Sequence, residues 1–251
     1  SLHDALPISH VLGLGESMEA MDQMPAGSRV RMAGLRISAA LGVRAVEFDV
    51  MLSADGSPWV IHDETLERTT SGTGRVCDAA DAMLYRLDVG KCHHGAFAGE
   101  PLPTFGAVAA LCRELGLMAN VEIKPASGFD AVTGEVVARH VLDLWQGAPL
   151  PLVSSFSEVA LAAARRVAPQ LPLACLYESP PADWQARFHA LGAFSLHCEA
   201  SELDDSILEE ALASKIPVLC YTVNERELAA SFIKRGVSAV FSDRIDRLAD
   251  L

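Results

Sequence analysis

Two carboxylates stand two residues apart in an apolar run, Val46–Val50. Because side chains two apart on a strand point to the same face, Glu47 and Asp49 would present both carboxylates together. A third carboxylate, Glu122, stands in a second apolar run, with Lys124 two residues later. Carboxylate oxygens suit a hard divalent cation, and an ammonium group suits a phosphate. The sequence therefore predicts that Glu47, Asp49 and Glu122 bind one divalent cation, Mg²⁺ or Ca²⁺.

A histidine ends another apolar run, Trp59–His62, which follows a turn marked by Asp-Gly and Pro. Imidazole changes charge near neutral pH, so His62 is a candidate general acid or base. Asp63 would either orient the imidazole or bind the cation, and orientation is the favoured role. Taken singly, such acids are more often solvated and such histidines more often structural. Together, in apolar surroundings where an unpaired acid is costly, they favour the active site of a hydrolase.

The elements that position these residues alternate between strand and helix. A helix is predicted at 32–41 with Gly42 as its stop, and Thr104 and Ser157 are predicted to cap two later helices. Strands are predicted at 45–50, 59–62, 117–123, 150–154, 173–176, 193–196, 218–222 and 239–241. Repeated βα units predict an α/β fold, a (β/α)8 TIM barrel. Active sites of such barrels lie at the carboxyl ends of strands, where all five candidates are predicted to fall. His197, after another predicted strand, fits the barrel mouth and a structural role equally well.

Two segments interrupt the alternation and set the predicted domain boundaries. Residues 1–31 form an atypical N-terminal segment, for which a frame error, a foreign leader and true divergence are open explanations, and residues 32–251 form the barrel. Residues 65–99 would be unusually long as a structureless loop, so an inserted cap subdomain is predicted at about 65–103. A transition-metal site at Cys92, His93 and His94 in this insertion is the less favoured alternative to a solvated loop, because no second ligand cluster matches it.

Composition narrows the function classes. Half of the 251 residues are hydrophobic, which favours a globular domain with a full core. The formal net charge of −13 disfavours nucleic acid as a partner, because that binding depends on Lys and Arg contacts to phosphate, whereas a small anionic substrate remains compatible through a bound cation. The six cysteines form no CxxC pair, which fits a reducing compartment. Neither a signal peptide nor a membrane span is evident.

The combination of motifs resembles the glycerophosphodiester phosphodiesterase family from about Met32 to the C-terminus. The matching stretches are Glu47-Phe48-Asp49, His62-Asp63, Leu66–Thr70, Gly72-Thr73-Gly74, Pro101–Thr104, Glu122–Pro125, Ser154–Ser157, Tyr221–Asn224 and Ser242-Asp243. The resemblance implies metal-dependent hydrolysis of glycerophosphodiesters to sn-glycerol 3-phosphate and an alcohol, by way of a cyclic phosphate. It also implies that Lys124 and Tyr221 bind substrate, with Tyr221 in the pocket wall. The likeness is to bacterial cytoplasmic members that serve glycerol-phosphate uptake, so a cytoplasmic location is expected.

The N-terminal segment departs from this family. The His-Arg-Gly motif of the first strand and the Pro-Glu-Asn-Thr motif of the first helix are missing, and Arg29 stands where the second motif has Glu. The first strand would have to come from residues 11–14, and His10 would be the first substitute to test for the missing catalytic histidine. Two alternatives stay open: a phospholipase D-like enzyme on the same scaffold, and a degenerate barrel that binds phosphodiesters without hydrolysing them.

Overall fold

A curled parallel sheet forms the centre of the molecule. The computed structural model describes residues 12–13, 31–90 and 98–248. Within them, eight parallel strands pair in chain order, and a short additional strand, β3, pairs antiparallel with β2. The strands are β1 (Leu12–Gly13), β2 (Ala45–Leu52), β3 (Pro58–Val60), β4 (Met118–Ile123), β5 (Leu152–Ser155), β6 (Leu173–Tyr177), β7 (Ser195–Glu199), β8 (Val218–Tyr221) and β9 (Ala239–Val240).

Helices alternate with the parallel strands. They are α1 (Arg31–Ala40), α2 (Asp81–Leu84), α3 (Phe105–Leu115), α4 (Asp130–Leu144), α5 (Glu158–Val167), α6 (Trp184–Leu191), α7 (Asp205–Ala213), α8 (Arg226–Arg235) and α9 (Ile245–Leu248). The repeated strand-helix units form a (β/α)8 TIM barrel, which confirms the predicted fold class. In the described part of the chain, no helix has both the length and the apolar character that crossing a membrane requires.

Local capping explains where two of the helices begin. Oγ1 of Thr104 accepts a hydrogen bond from the backbone N–H of Ala107, and Oγ of Ser157 accepts one from Ala160, as predicted for these caps. Farther along, α4 and α5 pack very closely, because a Cβ added to Gly134 would lie 2.2 Å from the carbonyl oxygen of Ala160. Only glycine therefore fits at position 134.

Along β2, successive side chains alternate between the main hydrophobic core and the barrel interior. Val46, Phe48 and Val50 are buried in the main hydrophobic core, where the ring of Phe48 lies 6.1 Å from that of Phe105. Glu47 and Asp49 point to the other side of the strand, into the barrel. Inside the barrel, Ala45 of β2 belongs to a small cluster with Leu219, Ala239 and Phe241. This contact brings the two sides of the curled sheet together.

The second predicted strand differs from its expected form. The sequence predicts a strand at 59–62, but β3 ends at Val60 and forms a hairpin with the extended end of β2. Because β2 continues to Leu52, Glu47 and Asp49 lie within the strand rather than at its end. They still reach the level of the barrel mouth, since Asp49 pairs with Glu122, one residue before β4 ends.

The first strand lies where the sequence required it. Leu12 pairs with Val46 and Gly13 pairs with Glu47, in parallel, so the expectation of a strand within residues 11–14 is confirmed for these two residues. His10 and Arg29 lie outside the described residues. The interpretation of residues 1–31 as atypical stays a prediction.

The insertion after β3 and the β2–β3 hairpin share a small hydrophobic core, separate from the main one. Its buried side chains are Met51, Trp59, Ile61, Leu66, Val76, Ala79, Leu84, Leu87, Val89 and Leu102. The carboxylate of Asp81 joins the insertion to the β2–β3 hairpin, because it accepts hydrogen bonds from Ser53, Ser57 and Trp59. This arrangement supports a cap, whose limits at about 65–103 stay a prediction. The Cys92–His94 cluster lies outside the described residues.

Candidate active site

The three predicted carboxylates converge at the mouth of the barrel. Parallel pairing sets Glu47 beside Asn120 and Asp49 beside Glu122, so acids from two neighbouring strands share the inner face. One oxygen from each of Glu47, Asp49 and Glu122 lies within 4.8 Å of the other two. Such a separation allows one cation to contact all three carboxylates.

Two of these carboxylates have an oxygen without a hydrogen-bond partner among the described residues. These atoms are Oε1 of Glu47 and Oε1 of Glu122, and both are buried. Burial raises the pKa of Glu47 well above its ordinary value, and the nearby charges of Asp49 and Glu122 raise it further. Burial and the charge of Asp49 raise the pKa of Glu122 to about 8. Because unpaired buried acids are costly and hard oxygens suit Mg²⁺ or Ca²⁺, this donor set fits a divalent cation.

Lys124 places a positive charge next to the carboxylates. Its Nζ lies 3.0 Å from Oδ1 of Asp49, and 27% of its side chain is exposed. The ammonium group is therefore fixed by an ion pair and still borders the cavity. A cation on the carboxylates and this ammonium group could together hold one phosphate.

His62 lies at the edge of the same cavity, in the loop that follows β3. Its Nδ1 lies 2.8 Å from Oδ1 of Asp63, and Arg68 donates to both oxygens of that carboxylate. Because a carboxylate only accepts, this contact places the proton on Nδ1 and leaves Nε2 free to exchange a proton. About half of the His62 side chain is exposed, at 51%. The geometry favours the orienting role for Asp63.

Both apolar and polar side chains contribute the rest of the lining of a cavity of about 220 Å³. Its further lining residues are Asn120, Phe156, Leu176, His197, Tyr221, Thr222, Phe241, Ser242 and Asp243. The hydroxyl of Tyr221 donates to the carbonyl of Tyr177 at 2.8 Å, so its ring is the part left for a ligand. Tyr221 thus lies in the cavity wall, where the resemblance placed it.

His197 shows features of both roles that the sequence left open, a place at the barrel mouth and a structural role. It lines the cavity from β7, yet it is fully buried, with Nε2 3.1 Å from Oγ of Ser195 and its ring centre 5.2 Å from that of Phe241. Burial lowers the pKa of His197 to about 3. The imidazole is therefore neutral at physiological pH and cannot supply a positive charge to a phosphate.

Four polar residues of the cavity were not predicted as site residues, namely Asn120, Thr222, Ser242 and Asp243. Asp243 follows β9, where its backbone N–H donates to Oδ1 of Asn224 at 2.9 Å and burial raises the pKa of its carboxyl. Its position after a barrel strand was an available signal. Asn120 precedes Glu122 by two residues, so the alternation that relates Glu122 to Lys124 also applies to Asn120.

Comparisons with known proteins show which family this chain resembles. A family model described as the glycerophosphoryl diester phosphodiesterase family matches residues 32–247. A glycerophosphodiester phosphodiesterase of Caldanaerobacter subterraneus subsp. tengcongensis is 30% identical over 222 residues, which cover 88% of this chain and 90% of the relative.

Solved structures show the same likeness. An Oleispira antarctica phosphodiesterase, solved in complex with the product sn-glycerol-3-phosphate, has a TM-score of 0.86 and 30% identity, over 96% of this chain and 95% of that chain. A glycerophosphodiester phosphodiesterase from Agrobacterium tumefaciens is 23% identical, with a TM-score of 0.74 over 97% of this chain and 100% of that one. The second comparison supports the fold.

Proposed function

Since this chain belongs to the glycerophosphoryl diester phosphodiesterase family, a family of hydrolases, we propose that it hydrolyses glycerophosphodiesters to sn-glycerol 3-phosphate and an alcohol in a metal-dependent reaction. The observation that carries this proposal is a pair of buried carboxylate oxygens on Glu47 and Glu122, which have no hydrogen-bond partner in the described part of the chain and lie in one cavity with Lys124 and His62. The product bound to the Oleispira antarctica relative supports the same product class here.

The carboxylate side of the cavity would bind the phosphate. Glu47, Asp49 and Glu122 would hold Mg²⁺ or Ca²⁺, which as a Lewis acid neutralises charge on phosphoryl oxygens when bound. Lys124 would contact the phosphate as a second positive group, and its ion pair with Asp49 keeps it in place. These positive charges would allow an anionic diester to bind a chain whose formal net charge is −13.

His62 would perform proton transfer. As the family likeness implies, the glycerol hydroxyl beside the phosphoester attacks phosphorus, the bond to the leaving alcohol breaks, and water then opens the cyclic phosphate. Nε2 of His62 would give or take the proton at one reacting oxygen, since imidazole suits both roles near neutral pH. Asp63 would keep Nδ1 protonated and the ring fixed, while Arg68 holds Asp63.

Substrate comparison tests this function. Purified protein should release glycerol 3-phosphate from glycerophosphocholine with Mg²⁺ or Ca²⁺, and a chelator should stop the release. Faster cleavage of lysophosphatidylcholine would instead support the phospholipase D-like alternative. Calorimetric binding of glycerophosphocholine without any release would support the degenerate barrel and count against the proposal.

The cysteines support a location for this reaction. The described cysteines are all unpaired, namely Cys77, Cys112, Cys175, Cys198 and Cys220. Because thiols stay reduced in the cytosol, we propose a cytoplasmic enzyme. Recovery of the protein from the periplasmic or secreted fraction of its native host would contradict this location.

A further inference from the structure

The proposed reaction needs a second proton-transfer group besides His62. In the first step the glycerol hydroxyl loses a proton while the leaving alcohol gains one, and in the second step water loses a proton while the glycerol oxygen gains one. The attacking and leaving oxygens of a phosphoryl transfer lie roughly in line, on opposite sides of phosphorus. One imidazole therefore reaches only one of the two oxygens, and another group must serve the other.

Asp243 stands in the same cavity, in the loop that follows β9. Phe241, two residues before it, belongs to the interior cluster that also contains Ala45 of β2. Two residues beyond these cluster members along each chain, Asp243 and Glu47 both line the cavity. His62 lines it from the loop after β3, so His62 and Asp243 reach the cavity from two different loops of the barrel mouth.

Asn224 fixes the loop that carries Asp243. Its Oδ1 accepts a hydrogen bond from Oγ of Ser242 at 3.0 Å and another from the backbone N–H of Asp243 at 2.9 Å. Ser242 is fully buried, and its Oγ accepts a hydrogen bond from the backbone N–H of Arg244 at 3.0 Å. The backbone on both sides of Asp243 is therefore held in place, which gives its side chain a defined position in the cavity.

The charged groups that face Asp243 are His62 and Glu47. Burial raises the pKa of the Asp243 carboxyl, whereas the side chain of Asn224 and the charge of His62 act in the opposite direction. Burial and the other two acids of the cation site raise the pKa of Glu47 most, and the charge of Asp243 raises it further. These mutual effects place the Asp243 carboxylate near both the imidazole and the cation site. Among the described residues, however, Asp243 is not part of the three-carboxylate group that could hold the cation, which leaves it available for another role.

We propose that Asp243 is a second catalytic residue, whose carboxylate transfers the proton at the glycerol oxygen while His62 transfers the proton at the oxygen of the leaving alcohol and of water. This inference rests on the proposed function and deepens it. Because a carboxyl is a stronger acid than an imidazolium, Asp243 starts the cycle as the base and His62 as the acid.

The protons balance over the two steps. In the first, Asp243 takes the proton of the glycerol hydroxyl as that oxygen bonds to phosphorus, and Nε2 of His62 gives its proton to the alcohol oxygen as the bond from phosphorus to that oxygen breaks. In the second, the oxygen of water bonds to phosphorus and its proton goes to His62. Asp243 then returns its proton to the glycerol oxygen as the ring opens, and both groups regain their starting forms.

Replacement of the carboxylate tests the role of Asp243. Asp243→Asn should lower kcat for glycerophosphocholine by about 10²–10⁴-fold, because the amide cannot take up the proton. It should still bind Mg²⁺ in calorimetry and keep its thermal midpoint. Asp243→Ala should be equally slow and regain activity when formate supplies a carboxylate, and this readout decides the matter if Asp243→Asn fails to fold. Asp143→Asn, on the exposed surface of α4, is the matched control and should keep its kcat.

A substrate with a better leaving group separates the two proton-transfer groups. In the p-nitrophenyl ester of glycerol 3-phosphate the leaving oxygen departs without a proton, so His62→Ala should regain most of its lost rate of p-nitrophenolate release. Asp243→Asn should stay slow, because the glycerol hydroxyl must still lose its proton.

Four outcomes would overturn the inference: an unchanged rate in Asp243→Asn, loss of its Mg²⁺ binding, its recovery with the p-nitrophenyl ester, or no formate rescue of a folded Asp243→Ala protein. Failure of the unchanged protein to release glycerol 3-phosphate would instead contradict the proposed function itself. The two failures can therefore be distinguished.

Discussion

The acids at the barrel mouth and the acid in the insertion are held in opposite ways. Asp81 accepts hydrogen bonds from Ser53, Ser57 and Trp59, the first at 2.6 Å and the last at 2.9 Å. Burial alone would raise the pKa of Asp81, but the hydrogen bonds from Ser53, Ser57 and Trp59 outweigh it and lower the pKa. The structure around Asp81 therefore stabilises the charged carboxylate.

At the barrel mouth, the surroundings of Glu47 and Glu122 instead disfavour the charged carboxylate. Glu47 and Glu122 each have a buried oxygen without a partner among the described residues, and burial raises the pKa of both. Asp81 stabilises the fold, whereas the mouth acids weaken it unless a ligand supplies the missing contacts. The contrast separates a structural acid from acids arranged for binding, although both kinds are at least partly buried carboxylates in the same chain.

Removal of the His62 imidazole is the change with the largest expected effect. Beside ligand-binding acids this imidazole should transfer protons, and a general acid or base typically contributes about 10²–10⁴-fold to rate. His62→Ala should therefore lower kcat by about that factor and leave calorimetric metal affinity and the thermal midpoint unchanged. Asp81→Asn is the control and should keep its kcat. Full activity in the His62→Ala protein would remove His62 from the mechanism.

Metal binding gives the second test of the contrast. Glu47→Ala removes one of the three converging carboxylates, so affinity for Mg²⁺ and Ca²⁺ should fall by at least about tenfold and hydrolysis should be lost with it. Asp81→Asn should bind both metals like the unchanged protein. If titration calorimetry gives the same metal affinity for Glu47→Ala and the unchanged protein, the cation site is wrongly assigned.

Stability without metal should separate the two kinds of acid directly. Asp81→Asn loses hydrogen bonds to a charged acceptor, so the free energy of unfolding should fall by about 1–3 kcal/mol. Glu122→Gln removes a buried carboxylate that lacks a complete set of partners, so the metal-free protein should keep its stability or gain about 1 kcal/mol. Urea unfolding in the presence of a chelator measures both values. A loss at Glu122→Gln as large as that at Asp81→Asn would contradict the contrast.

The smallest expected effect is the pH dependence that Asp81 contributes. Because its pKa is lower in the folded protein than the value of about 3.9 in an unfolded chain, its stabilisation is complete above pH 4 or so. It is lost as pH falls through the folded pKa. The stability difference between the unchanged protein and Asp81→Asn should therefore shrink in acid. A difference that stays constant down to pH 2 or so would show that the charge of Asp81 adds nothing.

Local sequence patterns determined much of the fold. The caps at Thr104 and Ser157 and the shared face of Glu47 and Asp49 depend only on neighbouring residues, because backbone geometry fixes helix starts and strand alternation. For the same reason the repeated strand-helix units were enough to predict the barrel. The prediction that β3 reaches His62 was wrong by two residues, since strand ends depend on pairing partners as well as on composition.

Contacts between distant parts of the chain were decided only by the tertiary structure. Glu122 stands beside Asp49 because β2 and β4 pair in that register, although an entire hairpin, cap and helix lie between them in sequence. The ring contact of Phe156 with Tyr221 likewise joins two residues that no local pattern relates. The sequence by itself determined which side chains face the barrel interior, whereas strand order and the curl of the sheet determined which of them meet, because those depend on the whole chain.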